Sequence, residues 1–237
     1  MPKHTLLLGL TTTWGSDWRA KVKEINKFNI EQISLFATAL EKPERRELYD
    51  LLEKSKLKKI RHTHLREQDM GKDELDYLSQ KWDCRLFNLH PTKRSAEAIK
   101  NLPEYQNRIY IENTGGSMPD NYEQMVRESA GICFDLSHYH DYGVLQNLTA
   151  YDNFTELLKK YPIGCAHISA ITKVLKTSEF DAGHETHYNR HGFTSLNEFD
   201  YVKNYIKYLP QYTSLELENS FEEQLEAKAY IEVLFQD

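Results

Sequence analysis

Gly131-Ile132-Cys133-Phe134-Asp135-Leu136-Ser137-His138 carries both signals on which the reading of this chain turns. The apolar run 131–135 has the length of a buried strand. It closes on a carboxylate, Asp135, with His138 three positions further on. Outward from it, runs of the same kind occupy 5–11, 31–37, 59–65, 84–90, 108–112, 164–169 and 212–218. Between them apolar residues recur at helical spacing: Val22, Ile25 and Phe28; Leu48, Leu51 and Leu52; Phe199, Val202, Tyr205, Ile206 and Leu209. Start signals precede several of these stripes, namely Pro43 before Glu44, Ser195, and the capping box from Ser220 to Glu223. Pro162 and Pro210 stop helices just before the next strand.

Eight strands alternating with eight helices require parallel pairing through right-handed crossovers. That many units in 237 residues predicts a (β/α)8 TIM barrel, a single domain over 1–237 with its site at the C-terminal ends of the strands. The alternative is an open, doubly wound sheet, but no GxGxxG or Walker loop follows the first run. The stretch 170–194 reads as irregular, too long for an ordinary connection, and so as functional.

Composition narrows the classes of function. No run approaches the length of a membrane span, and the start lacks the charged-then-apolar pattern of a signal peptide. Cys84, Cys133 and Cys165 are an odd number with no CxxC pair, which suits reduced thiols in a cytoplasmic protein. Lys and Arg number 30 against 36 Asp and Glu, a net charge of −6 that argues against a general nucleic-acid coat.

The histidines decide where chemistry should occur. His4 precedes the first run, whereas His62, His64, His90, His138, His140, His167, His184, His187 and His191 all lie at or just beyond the C-terminal end of a strand. In a barrel those ends share one mouth. Glu112 and Asp135 end their strands there, Glu216 and Glu218 share one parity of the last strand, and Glu185 sits two positions before His187. A single imidazole or carboxylate in such a place has a bland explanation, a satisfied core group or a salt bridge. The candidate inward cations Arg61, Arg66 and Arg108 are too few for the whole ring of acids.

Mixed imidazole and carboxylate donors, with thiolates absent from the cluster, suit divalent metal ions: zinc first, manganese or iron as alternatives. The candidate ligands are His62, His90, Glu112, Asp135, His138, His167, Glu185, His187 and Glu216, with His64 and Glu218 as alternatives for His62 and Glu216. Nine donors exceed the needs of one ion, which predicts two or three per chain. Trp14, Trp18, Tyr139, Tyr142 and Tyr188 fall in mouth loops, where aromatics as often pack loops as line a pocket.

These motifs resemble those of the xylose-isomerase-like barrel superfamily, and within it the endonuclease IV branch. Asn88-Leu89-His90-Pro91 is similar to the family's strand-four motif, Ile111-Glu112-Asn113-Thr114 to its strand-five motif, and Asp135-Leu136-Ser137-His138 to its D-x-x-H on strand six. His167 matches the histidine ending strand seven, and Glu185-Thr186-His187 stands where that branch has an acidic-x-His pair. The resemblance implies that Glu112 bridges two metals, that Asp135, His138 and His167 are ligands, and that His62 and Glu216 or Glu218 complete strands three and eight. It also implies that isomerases and epimerases of the superfamily use a smaller set on strands five to eight, holding one ion.

Two activities follow as expectations. The first is phosphoester hydrolysis, with Glu112 and Glu216 catalytic, two or three ions making water nucleophilic near neutral pH, and Lys93, Arg94 and Arg190 contacting phosphate. Its substrate would be a phosphorylated small molecule or a short nucleic-acid segment. The second is a one-metal sugar isomerase or epimerase, with Glu112 and Glu216 moving the proton.

Overall fold

Parallel strands joined by crossovers build the molecule. The computed structural model describes residues 4–180 and 183–236, with side chains throughout except at 178–185. The strands are β1 (Thr5–Thr11), β2 (Gln32–Phe36), β3 (Lys59–His64), β4 (Leu86–Leu89), β5 (Ile109–Glu112), β6 (Ile132–Asp135), β7 (Ile163–Ile168), β8 (Ala170–Phe180), β9 (Gly183–Arg190) and β10 (Tyr212–Leu215). Eight of them close a barrel in the order β1-β10-β7-β6-β5-β4-β3-β2, and every neighbour pair is parallel. This is the (β/α)8 architecture the alternation predicts, and each barrel strand lies within or one residue beyond its expected run.

The outer layer comprises α1 (Trp18–Lys27), α2 (Lys42–Glu53), α3 (Lys72–Trp82), α4 (Lys93–Asn101), α5 (Tyr122–Arg127), α6 (Leu136–His138), α7 (Phe154–Lys160) and α8 (Phe221–Leu234). The capping box at the start of α8 is formed, with the Ser220 side chain on the Glu223 N–H and Glu223 reaching back. Its apolar residues Phe221, Ala227 and Ile231 are fully buried. At the β1–β10 seam a Cβ on Gly9 would lie 1.8 Å from the Leu215 carbonyl oxygen, so only glycine allows that approach.

Two elements depart from expectation. The stretch after β7 is not irregular: β8 and β9 form a two-stranded antiparallel hairpin whose ladder breaks between Ile171 and Lys176. The helix of the seventh crossover, expected as an α-helix, is a 3₁₀ helix over Leu196–Tyr208. Its buried residues explain this. Phe199, Val202 and Tyr205 recur every third position, and three-residue turns put them on one face. After β6, α6 runs directly into a π-helix, Tyr139–Leu145, a rare element found mostly near functional sites.

Candidate metal centre

Strand register brings the donors together. Glu112 is beside Cys133, Asp135 beside His167, and His64 beside Asn88, all at the C-terminal ends of their strands. His90 follows β4, and Glu216 follows β10. Among the described residues four groups of donor atoms lie within 4.8 Å. Two include thiols, His62 with Cys133 and Cys165, and Glu112 with Cys133 and His167. Two do not: His64, His90 and Glu112 in one, and Glu112, Asp135, His167 and Glu216 in the other. Glu112 belongs to both of these thiol-free groups.

The distances show how the carboxylate is shared. Glu112 Oε2 lies 3.2 Å from His64 Nε2 and 3.4 Å from His167 Nδ1, while Oε1 is 3.7 Å from His90 Nε2. His167 Nδ1 is 3.2 Å from Glu216 Oε2 and 3.8 Å from Asp135 Oδ2. His64 Nε2 and His90 Nε2 are 3.1 Å apart. His64 donates its Nδ1–H to the Leu65 carbonyl at 3.1 Å, which leaves Nε2 as the lone-pair nitrogen facing Glu112.

The fit to a cation can be tested on the polar atoms themselves. Asp135 Oδ2 and His167 Nδ1 are buried without a hydrogen-bond partner, although such orphans are rare in folded proteins. The other Asp135 oxygen accepts from Ser137 Oγ at 2.5 Å and the His138 N–H at 2.8 Å, so the carboxylate is oriented with Oδ2 aimed inward. One carboxylate oxygen and one imidazole nitrogen, both uncapped and set beside the carboxylates of Glu112 and Glu216, make a donor set that suits a divalent ion. Among the described residues, the ion-pair partners of Glu112, Asp135 and Glu216 are all histidines. Arg61 instead pairs with Asp83, Arg66 with Glu41 and Asp69, and Arg108 bonds the Arg85 and Cys84 carbonyls and Ser79.

The titration of these groups reflects burial opposed by mutual attraction. Burial alone would raise the Glu112 carboxyl, but His167 and His90 hold it well below the usual range. Burial likewise lowers His167, yet Glu112 and Glu216 raise it well above a free imidazole. Glu216 would rise on burial, and His191 with His167 brings it down to about 2. Asp135 goes the other way. Burial, reinforced by Glu112, raises it against the pull of His138. Glu112 and Glu216 together thus favour the charged form of His167.

The remaining candidates separate. His62 joins none of the groups around Glu112 and lies instead with the thiols of Cys133 and Cys165; its Nδ1 contacts Ser214 Oγ and its Nε2 contacts Asn88 Oδ1, each at 2.9 Å. His64, the alternative, occupies that place, because His62 lies two residues deeper along β3. Glu218, the alternative to Glu216, is exposed beyond the end of β10. His138 donates Nδ1–H to the Asn113 carbonyl at 3.2 Å, and His187 donates Nδ1–H to the Asn189 carbonyl at 2.7 Å. The described residues do not bring these two into one donor group. The Glu185 side chain lies outside the described residues.

Of the expected phosphate contacts, Lys93 and Arg94 are exposed in the first turn of α4. The start of that helix already faces a carboxylate, since Glu67 takes the Ser95 hydroxyl at 2.7 Å and the Thr92 hydroxyl. Arg190 is engaged by both oxygens of Glu198 at 3.2 Å.

Several residues went unassigned by sequence reasoning. Cys133 Sγ lies 3.4 Å from His167 Nε2, so a thiol does border the cluster. His191 Nε2 is 3.8 Å from Glu216 Oε1. Asp141, wholly buried in the π-helix, accepts the N–H groups of Tyr188 and Asn189 and the Asn189 side chain at 2.6–2.8 Å, pinning β9 next to His187. Strand-end position was the available signal for His191. Contacts across the barrel had none.

No family model matches the chain, and no curated protein does. A xylose isomerase-like TIM barrel protein from Mycobacterium smegmatis, solved in complex with magnesium, is similar at a TM-score of 0.47 and 10% identity, over 92% of this chain and 88% of that one. Among the described residues no helix is long and apolar enough to cross a membrane.

Proposed function

We propose that this chain is a metal-dependent hydrolase of phosphoester bonds, resembling the endonuclease IV branch of the xylose-isomerase-like barrels. The observation that carries the reading is Glu112, one buried carboxylate within donor distance of two separate groups. His64 and His90 would hold one ion with Glu112, and Asp135, His167 and Glu216 a second with it. His138, Glu185 and His187 are the candidates for a third. When bound, divalent ions, zinc before manganese or iron, supply the Lewis acidity that makes water nucleophilic near neutral pH and stabilises charge on a leaving oxygen.

The chain's own residues do the rest. Asp135 and the His64 ring are oriented by their second hydrogen bonds, so their donor atoms need no reorganisation. Glu216 Oε1 and His191 Nε2 face one another at the mouth, 3.8 Å apart. The proposed substrate is a phosphorylated small molecule or a short nucleic-acid segment. With Arg190 tied to Glu198, the exposed Lys93 and Arg94 are the available cations for it.

A second reading, a one-metal sugar isomerase or epimerase, is favoured by the quartet of Glu112, Asp135, His167 and Glu216, complete without the His64 side. Elemental analysis of protein purified without chelator separates the two. Two or three ions per chain and cleavage of bis-p-nitrophenyl phosphate support the hydrolase, whereas one ion and no cleavage support the isomerase. Under either reading Glu112→Gln abolishes turnover while the fold survives, and a fully active variant removes Glu112 from the mechanism.

A further inference from the structure

His62 is a buried histidine whose two ring nitrogens are both committed, and it stands one hydrogen-bonded step from the shared carboxylate. Asn88 makes that step. Its Nδ2 donates to Glu112 Oε2 at 2.5 Å, and its Oδ1 lies 2.9 Å from His62 Nε2. The direction of every bond follows from chemistry. A carboxylate only accepts, so the Asn88 amide must present Nδ2 to Glu112 and Oδ1 to His62. The amide oxygen also only accepts, so His62 Nε2 carries a hydrogen. With Nδ1 unprotonated, the Ser214 hydroxyl donates to it at 2.9 Å. The chain runs from Ser214 through His62 and Asn88 to Glu112, over β10, β3, β4 and β5, and each member is at most 1% exposed.

We infer that His62 and Asn88 are positioning residues that fix the Glu112 carboxylate in the rotamer shared by the two donor groups, and that His64 is the strand-three ligand. An asparagine amide can turn end for end at little cost, and here His62 forbids the wrong orientation. A reversed amide would set Oδ1 against Glu112 Oε2 and Nδ2 against the Nε2–H of His62. Held correctly, Asn88 takes one lone pair of Oε2 and prevents the carboxylate from swinging wholly to either group. This inference rests on the metal-centre reading above, and it gives His62 a role distinct from ligation.

The test uses zinc alone, titrated against a chromogenic chelator, on the full chain and on folded variants checked by circular dichroism. Wild type is expected to bind at least two zinc ions, and His64→Ala to lose one of them. His62→Leu is expected to keep the stoichiometry while affinity falls about 10- to 100-fold, as for other residues behind metal ligands. His62→Gln, whose amide can still donate to Asn88 Oδ1, is expected to restore most of that loss. Asn88→Asp, nearly isosteric, is expected to weaken zinc as His62→Leu does, and it carries the test should His62→Leu fail to fold. Loss of one ion from His62→Leu would make His62 a ligand and overturn the inference. Unchanged affinity in folded His62→Leu and Asn88→Asp would overturn it while leaving the metal centre standing. Absence of zinc binding by wild type would instead remove the metal-centre reading itself and this inference with it.

Discussion

At the scale of single residues, the notable group is His167, because on the proposed reading a proton and a metal ion would compete for its imidazole. In the metal-free protein its pKa is raised well above the usual 6.5, burial being outweighed by Glu112 and Glu216. Stability from that proton is complete below about 6.5 and is lost as pH rises through the raised value. Glu216, brought down to about 2 from the usual 4.5, contributes stability above 4.5 that disappears as pH falls through about 2. Calorimetric melting of metal-free protein should therefore show a falling midpoint as pH is raised beyond neutrality. The same proton must leave Nδ1 before that nitrogen can ligate. Zinc titrations in buffers of different ionisation enthalpy should register proton release, and an apparent heat independent of buffer would show that His167 does not take up the ion.

Among the secondary-structure elements, α2 and α3 are joined by an interaction apart from the mouth. Arg45, wholly buried, puts Nε and Nη2 on the two Glu74 oxygens at 2.7 and 2.9 Å and Nη1 on Asp69 and the Leu40 carbonyl, while Tyr49 donates to Glu74. Removing one member strands a buried charge, so Glu74→Ala should cost about 3–5 kcal/mol in urea denaturation. A loss below 1 kcal/mol would show that Asp69 and Leu40 suffice for the guanidinium. Core truncation gives a second measure: Leu10→Ala, at a site with no exposure, should cost about 2–5 kcal/mol.

Elements were legible in the chain wherever a period could be read. The eight barrel strands follow from short apolar runs, since a parallel sheet covered on both faces needs them. The hairpin of β8 and β9 was not legible, because Lys173 to Thr177 are exposed and impose no one-sided pattern. The 3₁₀ helix could have been read from Phe199, Val202 and Tyr205, whose spacing of three is as regular as a spacing of 3.6 would be irregular. At the site, strand ends gave Glu112, Asp135, His167 and Glu216. They did not choose between His62 and His64, which have the same parity on β3 and differ only in depth along the barrel axis.

On the scale of the whole molecule, the barrel presents its candidate donor atoms preassembled, and on the proposed reading occupation of the site should stabilise the entire fold. A ligand that binds only the native state adds about 2.7 kcal/mol at a hundredfold excess over its dissociation constant. Stripping zinc with a chelator should therefore lower the melting midpoint, and restoring it should reverse the shift. An unchanged midpoint after verified removal would separate the metal from the fold.

Because Glu112 serves two donor groups, their occupancies are thermodynamically linked on the proposed reading. Whatever the first cation does to the affinity of the second, the second does to the first in equal measure. The quartet has three carboxylates and fills first. Its occupant then withdraws charge from the oxygens that the His64–His90 side must share, so the second equivalent binds more weakly. A zinc isotherm should be broader than that of two independent sites, and Glu112→Gln should abolish the communication along with the bridge.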